Sequence, residues 1–369
     1  MNSLKFLTWP AIAGLLAALL ILDRWVLPET APQAGDGTAS YAGAVSEASP
    51  SVVNIYTAKR ILEPAPNWRR PDNLVLGPSR LMLERIERSL GSGVIMSTEG
   101  HILTNHHVIA GADAIQVLLH DGRSANAAVV GSDIATDLAV LRIDLPDLDP
   151  IAVGDSNEVQ VGDVVLAIGN PLGFGHTVTQ GIVSALGRWG LLPNAPYEDY
   201  IQTDATIHQG NSGGALIDVR GRLLGINTLI YTGTSQASRG DNTGIGISLA
   251  IPINLAAFVM RDLIDYGEVI RGWLGVSVDP VLSAVEGTTG QALLVVAVAQ
   301  GSPAARAGIQ VGDVITHIDG EEVTDGRLTM HRIAQLRPGD TIAVSLQRNQ
   351  QSLELRAVVG IQGQSNPAG

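Results

Sequence analysis

The stretch Gly210-Asn211-Ser212-Gly213-Gly214-Ala215-Leu216 decides how this chain is interpreted. It places a serine hydroxyl among small residues that let backbone N–H groups approach a substrate. In acyl transfer the hydroxyl attacks a carbonyl carbon, and N–H donors stabilise the oxygen that becomes negative. We therefore predict Ser212 as a nucleophile and an oxyanion hole at Gly210, Asn211 and Ser212. Taken alone, the same string is also typical of a glycine-rich turn between strands.

Two upstream segments supply partners for this serine. Asp137 precedes the apolar run Leu138–Leu141, which is typical of a buried strand. His107 lies in Thr104-Asn105-His106-His107-Val108, where composition alone cannot separate the two adjacent histidines. The chain order His, Asp, Ser is that of the chymotrypsin-type double barrel, and it differs from the orders in subtilisins and α/β-hydrolases. The three segments together predict a serine, histidine and aspartate triad.

The sequences of these motifs resemble those of the HtrA family of serine proteases. The matching segments are Thr104–Val108, Thr136–Leu141, Gly169–Gly173, Gln202–Ala205 and Gly210–Leu216. The resemblance extends from about residue 40 to about residue 360. It implies a mainly β, chymotrypsin-like double β-barrel with the active site between the barrels. It also assigns the catalytic base to His107 and leaves His106 in the variable position of the T-N-x-H-V pattern.

The resemblance also implies a pocket for the residue before the scissile bond. Its lining residues would be Ile207, Tyr231 and Ile245. These apolar side chains favour small apolar residues such as valine or alanine over lysine. Tyr231 stands where the resemblance implies an aliphatic residue, so the resemblance does not determine the depth of this pocket.

Composition narrows the possible partners. The 369 residues are 45% hydrophobic, carry a formal net charge of -13 and include no cysteine. The chain can therefore bury the cores of two or three domains, and disulfides and thiolate metal sites are excluded. The sequence contains no lysine-arginine cluster that could neutralise phosphates, which argues against nucleic acid as a ligand. No divalent-metal motif is evident, and we expect no cofactor.

The amino terminus predicts a membrane anchor. Phe6–Leu22 is an uncharged, mostly apolar run, close to the shortest length that spans a bilayer as a helix. Lys5 before it favours a cytoplasmic amino terminus and export of the rest. A cleavable signal peptide is the alternative, although no A-x-A-like site follows directly. We assign residues 1–26 to the cytoplasmic end and anchor and residues 27–47 to a linker.

Short strands separated by turn residues predict a β-rich protease domain over residues 48–268. Ser51–Thr57 is predicted as its first strand. A long connection over 58–90 follows, in which Ser79–Leu90 could form a short amphipathic helix. The domain is predicted to close with a helix over Asn254–Tyr266, capped by Asn254 and ended by Gly267.

Residues 269–362 predict a separate α+β domain, followed by a tail over 363–369. Ser302-Pro303 is a helix cap followed by proline at the first helical position, and Gly308 is a stop signal. The order of elements resembles a PDZ domain. Within it, Trp273-Leu274-Gly275 resembles the loop whose N–H groups hold the terminal carboxylate of a peptide. An inert appendage is the alternative interpretation.

An anchor, a protease and one PDZ domain together resemble the HtrA proteases tethered in the inner membrane of Gram-negative bacteria. That resemblance implies a homotrimer with self-contact near Tyr41, and Arg188 as the sensor of a peptide-loaded PDZ domain. It further implies activation by exposed carboxyl termini of misfolded outer-membrane proteins and cleavage of a membrane anti-sigma factor in envelope stress. The alternatives are a released general quality-control protease and a proteolytically silent peptide-binding scaffold.

Overall fold

The structure is a computed structural model that describes residues 40–64, 82–170, 175–188, 198–208, 210–230, 248–282, 291–323 and 325–361. The chain divides into two compact units, residues 1–42 and 43–369. The first helix, α1 (Ala42–Ala48), begins at the boundary, and all other elements given below lie in the second unit. Across the described ranges no helix combines the length and apolar character needed to span a bilayer. The predicted anchor Phe6–Leu22 lies outside those ranges.

The first half of the protease region is a seven-stranded antiparallel sheet with the order β5-β4-β1-β2-β3-β7-β6. Its elements are β1 (Val52–Pro64), β2 (Met82–Ile95), β3 (His101–Asn105), α2 (His106–Ile109), β4 (Ala114–Leu118), β5 (Ser124–Asn126), β6 (Ala128–Asp133) and β7 (Leu138–Arg142). The edge strands β5 and β6 are separated by Ala127 alone. One bent segment therefore links both edges and curls the sheet toward a barrel. Its apolar core includes Ile55, Ile102, Val117 and Leu141.

The long connection predicted over 58–90 is wrong for most of its length. Strands β1 and β2 pair without interruption from Val52↔Val94 to Pro64↔Met82, so only residues 65–81 separate them. The predicted helix over Ser79–Leu90 is a strand from Met82 onward. Leu62 and Ile86 are 64% and 57% exposed on this hairpin. The backbone of each strand of this hairpin is satisfied by hydrogen bonds to the other strand. A local sequence pattern does not reveal a partner strand that is distant in the chain.

The second half is a closed barrel with the order β10-β13-β12-β11-β8-β9. Its strands are β8 (Val164–Gly169), β9 (Thr177–Arg188), β10 (Tyr200–Thr203), β11 (Ala215–Asp218), β12 (Leu223–Ile230) and β13 (Ser248–Pro252). Small and β-branched side chains, including Val165, Ala167, Val183 and Ala250, fill its interior without exposure. The described strands thus make one closed barrel and one strongly bent sheet, where two barrels were predicted.

Helix α3 (Ile253–Tyr266) follows the barrel. Its predicted end is confirmed, because Gly267 has a φ of 78° and its N–H donates to Leu263 O. The predicted cap is wrong. Pro252 occupies the cap position, and Asn254 lies inside the helix, where its amide donates to Asp155 Oδ1 at 2.7 Å.

The carboxyl-terminal domain is built on the strand path β15-β16-β17-β19-β20, with β18 on β17 and a separate β14-β21 pair. Its elements are β14 (Gly272–Trp273), β15 (Val276–Leu282), β16 (Gln291–Val298), α4 (Pro303–Ala307), β17 (Val314–Ile318), β18 (Glu321–Glu322), α5 (Gly326–Gln335), β19 (Thr341–Arg348), β20 (Gln351–Val358) and β21 (Gly360–Ile361). The predicted caps of α4 are confirmed. Ser302 Oγ accepts from the Ala305 N–H, and Gly308 takes the left-handed conformation.

Two charge pairs join this domain to the protease region. The Arg337 guanidinium makes a two-bond contact with Asp262 of α3, at 2.8 and 2.5 Å, and Asp262 is fully buried. Arg271 contacts Asp133 of β6 in the same way, at 3.1 and 2.5 Å. Because Asp262 is fully buried, removing Arg337 would leave a buried charge without its partner. Both pairs therefore fix the contact between the domains.

Candidate active site

Asp137 lies in the turn before β7 with a φ of 56°, a left-handed conformation that is uncommon outside glycine. Two groups at the end of β3 hold this turn. The His106 backbone N–H and the Asn105 side-chain amide both donate to the Asp137 main-chain oxygen at 3.0 Å. The turn therefore sets the direction of the Asp137 carboxylate against the start of α2.

That carboxylate binds His107. The Nδ1 atom of His107 lies 2.7 Å from Asp137 Oδ2, and the His107 backbone N–H donates to Oδ1 at 2.9 Å. A third donor, the Thr228 hydroxyl, reaches Oδ2 at 3.0 Å. His106 makes no such contact, and its Nδ1 is buried without a hydrogen-bond partner among the described residues. The structure therefore brings His107, and not its neighbour, to Asp137.

Ser212 lies at the other end of the same network. Its hydroxyl donates to the Thr228 main-chain oxygen at 2.8 Å, while the Thr228 side chain donates to Asp137. One residue of β12 thus connects the serine to the aspartate and histidine pair. Between Ser212 Oγ and His107, both within the described ranges, no hydrogen bond is formed. Such contacts are often loose in unliganded hydrolases and form when substrate binds.

The nucleophile loop, defined as residues 210–214, contains two N–H groups that have no acceptor in the described part of the chain. The Asn211 N–H donates to His208 O at 2.9 Å, and Gly210 has a φ of 98°, a conformation that favours glycine. Among the described residues, the N–H groups of Gly210 and Ser212 have no acceptor. The Asn211 N–H, one of the three predicted oxyanion donors, is therefore already bonded to His208 O in this structure.

Tyr200, which the sequence did not single out, is buried beside this network. Burial raises the pKa of its phenol well above the usual range, and the nearby Glu198 and Asp137 carboxylates raise that pKa further. The phenol is therefore neutral at any physiological pH. It adds no charge next to Asp137.

The predicted substrate pocket is described only in part. Ile207 is 1% exposed, belongs to the core of the second barrel, and its N–H donates to Ser248 Oγ at 3.0 Å. Its side chain therefore contributes to the barrel interior. Tyr231 and Ile245 lie outside the described residues.

Arg188 is the last residue of β9, where it pairs with Tyr200 of β10. Its Nε donates to the Gln202 side-chain oxygen at 2.7 Å. The arginine is exposed and anchored on strand β10. Residues 189–197 after it lie outside the described ranges.

The loop predicted to hold a peptide carboxylate connects β14 to β15. Gly275 has a φ of 78°, and a Cβ there would lie 2.3 Å from Ser302 Cβ, so only glycine fits. Leu274 is 1% exposed, and its main-chain oxygen accepts from the Ala304 N–H. In this part of the described chain, the N–H groups of Leu274 and Gly275 have no acceptor. They lie at the start of β15, an edge strand of the sheet.

Comparison with known proteins agrees with this architecture. Residues 91–226 match the trypsin-like peptidase domain family, and residues 272–359 match the PDZ domain family. The chain is 40% identical over 367 residues to the serine endoprotease DegS of Escherichia coli strain K12, with 96% of this chain and 97% of the relative covered. It is 39% identical to a probable periplasmic serine endoprotease, DegP-like, of Pseudomonas savastanoi, covering 94% of this chain and 74% of that protein.

A solved structure of the HtrA-type protease AlgW with a tripeptide shares 47% identity and a TM-score of 0.70 with this chain. The match covers 88% of this chain and 98% of that one. Fold and comparisons together define a serine endopeptidase with a trypsin-like protease domain and a single PDZ domain. The chain belongs to the HtrA family of serine endoproteases and is DegS-like.

Proposed function

We propose that Ser212, His107 and Asp137 are the catalytic triad of this endopeptidase. The observation that carries the proposal is the single hydrogen-bond network through Thr228, which contacts both Asp137 and Ser212. The Asp137 carboxylate, bound to His107 Nδ1, favours the tautomer in which Nε2 is free to accept a proton. To offer its proton to Nε2, the Ser212 side chain must leave Thr228 O and turn toward His107.

The chemistry follows from these positions. Ser212 Oγ forms a bond to the scissile carbonyl carbon while its proton passes to His107 Nε2, and the carbonyl electron pair moves to oxygen. The N–H groups of Gly210 and Ser212 stabilise that oxyanion. Collapse breaks the C–N bond, and the leaving amine takes the proton from His107. A water molecule then repeats the sequence on the acyl-enzyme, which releases the acid and restores Ser212.

The proposal is tested by labelling the intact protein with a fluorophosphonate, which reacts with activated serines. Mass spectrometry of the digested product is expected to place the label on the peptide that contains Ser212. A correctly folded protein that stays unlabelled, with and without peptide ligands, would instead support the silent scaffold.

We also propose that the PDZ domain regulates this activity by binding carboxyl-terminal peptides. The N–H groups of Leu274 and Gly275, which have no acceptor among the described residues and lie next to the edge strand β15, suit a terminal carboxylate and strand addition. By family resemblance the ligands are exposed carboxyl termini of misfolded outer-membrane proteins, and the substrate is a membrane anti-sigma factor. The related AlgW structure with a tripeptide is consistent with this mode.

A hydrophobic peptide with a free carboxylate is expected to raise kcat/KM, and its carboxyl-terminal amide is not. A ligand shifts an equilibrium only by its different affinity for the two states, and typical couplings are about 1 to 3 kcal/mol. The measurement is cleavage of a fluorescent protein substrate against peptide concentration.

Arg188→Ala tests the predicted sensor in the same assay. It should bind the free-acid peptide as the unmodified protein does but respond less in turnover. Equal stimulation by acid and amide, or an unchanged response in Arg188→Ala, would contradict this regulation.

We propose that the protein is a homotrimer, with self-contact near Tyr41, in the inner membrane and with its protease domain in the periplasm. The proposal rests on Phe6–Leu22 and on family resemblance. The full-length protein is expected to remain with membranes after high-salt and carbonate washing, whereas a truncated protein beginning at Tyr41 should be soluble. Amino-terminal sequencing is the control. A mature protein that begins after Leu22 and is found free in the periplasm would favour the released protease.

A further inference from the structure

Ser92 is a fully buried residue of β2 whose polar groups contact the nucleophile loop. Its hydroxyl donates to Gly210 O at 2.7 Å, and its backbone N–H donates to Ser212 O at 2.9 Å. One residue of the first sheet thus binds two carbonyl oxygens of a loop that belongs to the second barrel. The sequence motifs gave no reason to choose it.

The remaining groups of Ser92 are also engaged. Its hydroxyl oxygen accepts from the Asn170 N–H at 3.0 Å, and its carbonyl oxygen accepts from the Thr104 hydroxyl at 2.7 Å. Strand β2 pairs with β3 only from Val94 onward, so at Ser92 this edge is open to the nucleophile loop. Ser92 is therefore held from both sides while it holds Gly210 and Ser212.

The backbone of the loop approaches β2 very closely. A Cβ placed on Gly213, which has a φ of 84°, would lie 2.1 Å from Ser92 O. Glycines flank Ser92 as well, and a Cβ on Gly91 would lie 2.5 Å from Val108 Cγ1. This packing leaves the loop no space to relax toward the first sheet, and the hydrogen bonds to Ser92 prevent movement away from it.

The two carbonyls that Ser92 binds belong to Gly210 and Ser212, the residues whose N–H groups have no acceptor among the described residues. Their oxygens are fixed on the Ser92 side, and Asn211 between them is fixed by its bond to His208 O. An oxyanion hole is effective when its donors are already oriented before the reaction. A buried hydroxyl with a purely structural role in its own sheet would donate to an acceptor in that sheet. The Ser92 hydroxyl instead donates to Gly210 O.

We infer that Ser92 is a positioning residue for the oxyanion hole, acting through the carbonyls of Gly210 and Ser212. The inference rests on the proposed nucleophilic role of Ser212. Loss of one complete oxyanion donor lowers kcat by about 10² to 10³ in serine proteases. Ser92→Ala keeps the backbone bond to Ser212 O and removes both bonds of the hydroxyl, the one it donates to Gly210 O and the one it accepts from the Asn170 N–H. We therefore expect a loss of about 10- to 100-fold.

The experiment compares Ser92→Ala with Thr203→Val in the full chain. Thr203 is also fully buried, and its hydroxyl also donates to one carbonyl, of Ile182, and accepts from one N–H, of Ala205. Both changes delete the same hydrogen-bonding chemistry, but Thr203 makes no hydrogen bond to the nucleophile loop. The probe is a fluorophosphonate, whose concentration dependence separates the inactivation rate constant from the binding constant. Thermal unfolding of each variant is measured alongside.

The expected result is a 10- to 100-fold lower inactivation rate constant for Ser92→Ala, an unchanged binding constant, and an unfolding temperature close to that of Thr203→Val. Thr203→Val should keep the rate constant of the unmodified protein. Equal rate constants in both variants would overturn the inference, and so would a loss confined to the binding constant. If Ser92→Ala fails to fold, Ser92→Cys, with a weaker donor at the same place, is judged by the same criteria. Labelling of the unmodified protein at Ser212 tests the proposed function separately.

Discussion

Ser212→Ala is expected to abolish peptide-bond cleavage while the protein stays folded. The change removes only a hydroxyl whose one hydrogen bond within the described ranges is to the Thr228 carbonyl, and it leaves the N–H groups of Gly210 and Ser212 in place. Loss of the nucleophile in serine proteases lowers kcat by roughly 10⁴-fold or more. The measurement is turnover of a fluorescent protein substrate, with thermal unfolding as the test of folding. Substantial cleavage by the purified variant would contradict the assignment.

The adjacent histidines provide a matched pair for the same assay. His107→Ala should lose activity as Ser212→Ala does, because the proton acceptor bound to Asp137 is gone. His106→Ala should remain active, since its side chain makes no hydrogen bond to Asp137 or Ser212. The reverse result would show that the base is His106.

Local signals in the sequence located three helix ends correctly, although the predicted cap at Asn254 was wrong. Ser302 and Gly308 cap α4 as predicted, and Gly267 ends α3, because each cap is made by groups within a few residues. The hairpin of β1 and β2 could not be predicted in this way. Its two strands stabilise each other across residues 65–81, and neither carries a clean alternating pattern.

The candidate site shows the same division. Chain order and motif similarity located His107, Asp137 and Ser212, and the structure brings their segments together. Sequence reasoning could not locate Thr228 or Ser92, because their roles consist of hydrogen bonds to atoms distant in the chain. The hydrogen bond of the Asn211 N–H to His208 O was also hidden from the sequence. Three consecutive N–H groups look equivalent in a glycine-rich string, and only the folded turn shows which of them is already bonded.

Asp137→Asn is expected to lower kcat by about 10⁴-fold with little change in the fold, as the same change does in trypsin-like triads. Asparagine has nearly the same shape, and its side-chain oxygen can still accept from the His107 backbone N–H, although the NH2 group that replaces Oδ2 no longer accepts from the Thr228 hydroxyl. Its side-chain amide, however, would donate to His107 Nδ1 and place the ring proton on Nε2. That tautomer cannot accept the proton of Ser212.

The matched control is Asp121→Asn, in the turn between β4 and β5. Asp121 is an exposed carboxylate paired with Arg123 at 2.6 Å, so the variant makes the same chemical change away from the site. Turnover should fall only in Asp137→Asn, and both variants should unfold near the temperature of the unmodified protein. Asp137→Asn should recover activity as pH rises, because hydroxide can then remove the serine proton in place of the histidine. An Asp137→Asn variant with activity near that of Asp121→Asn would show that His107 does not depend on this carboxylate.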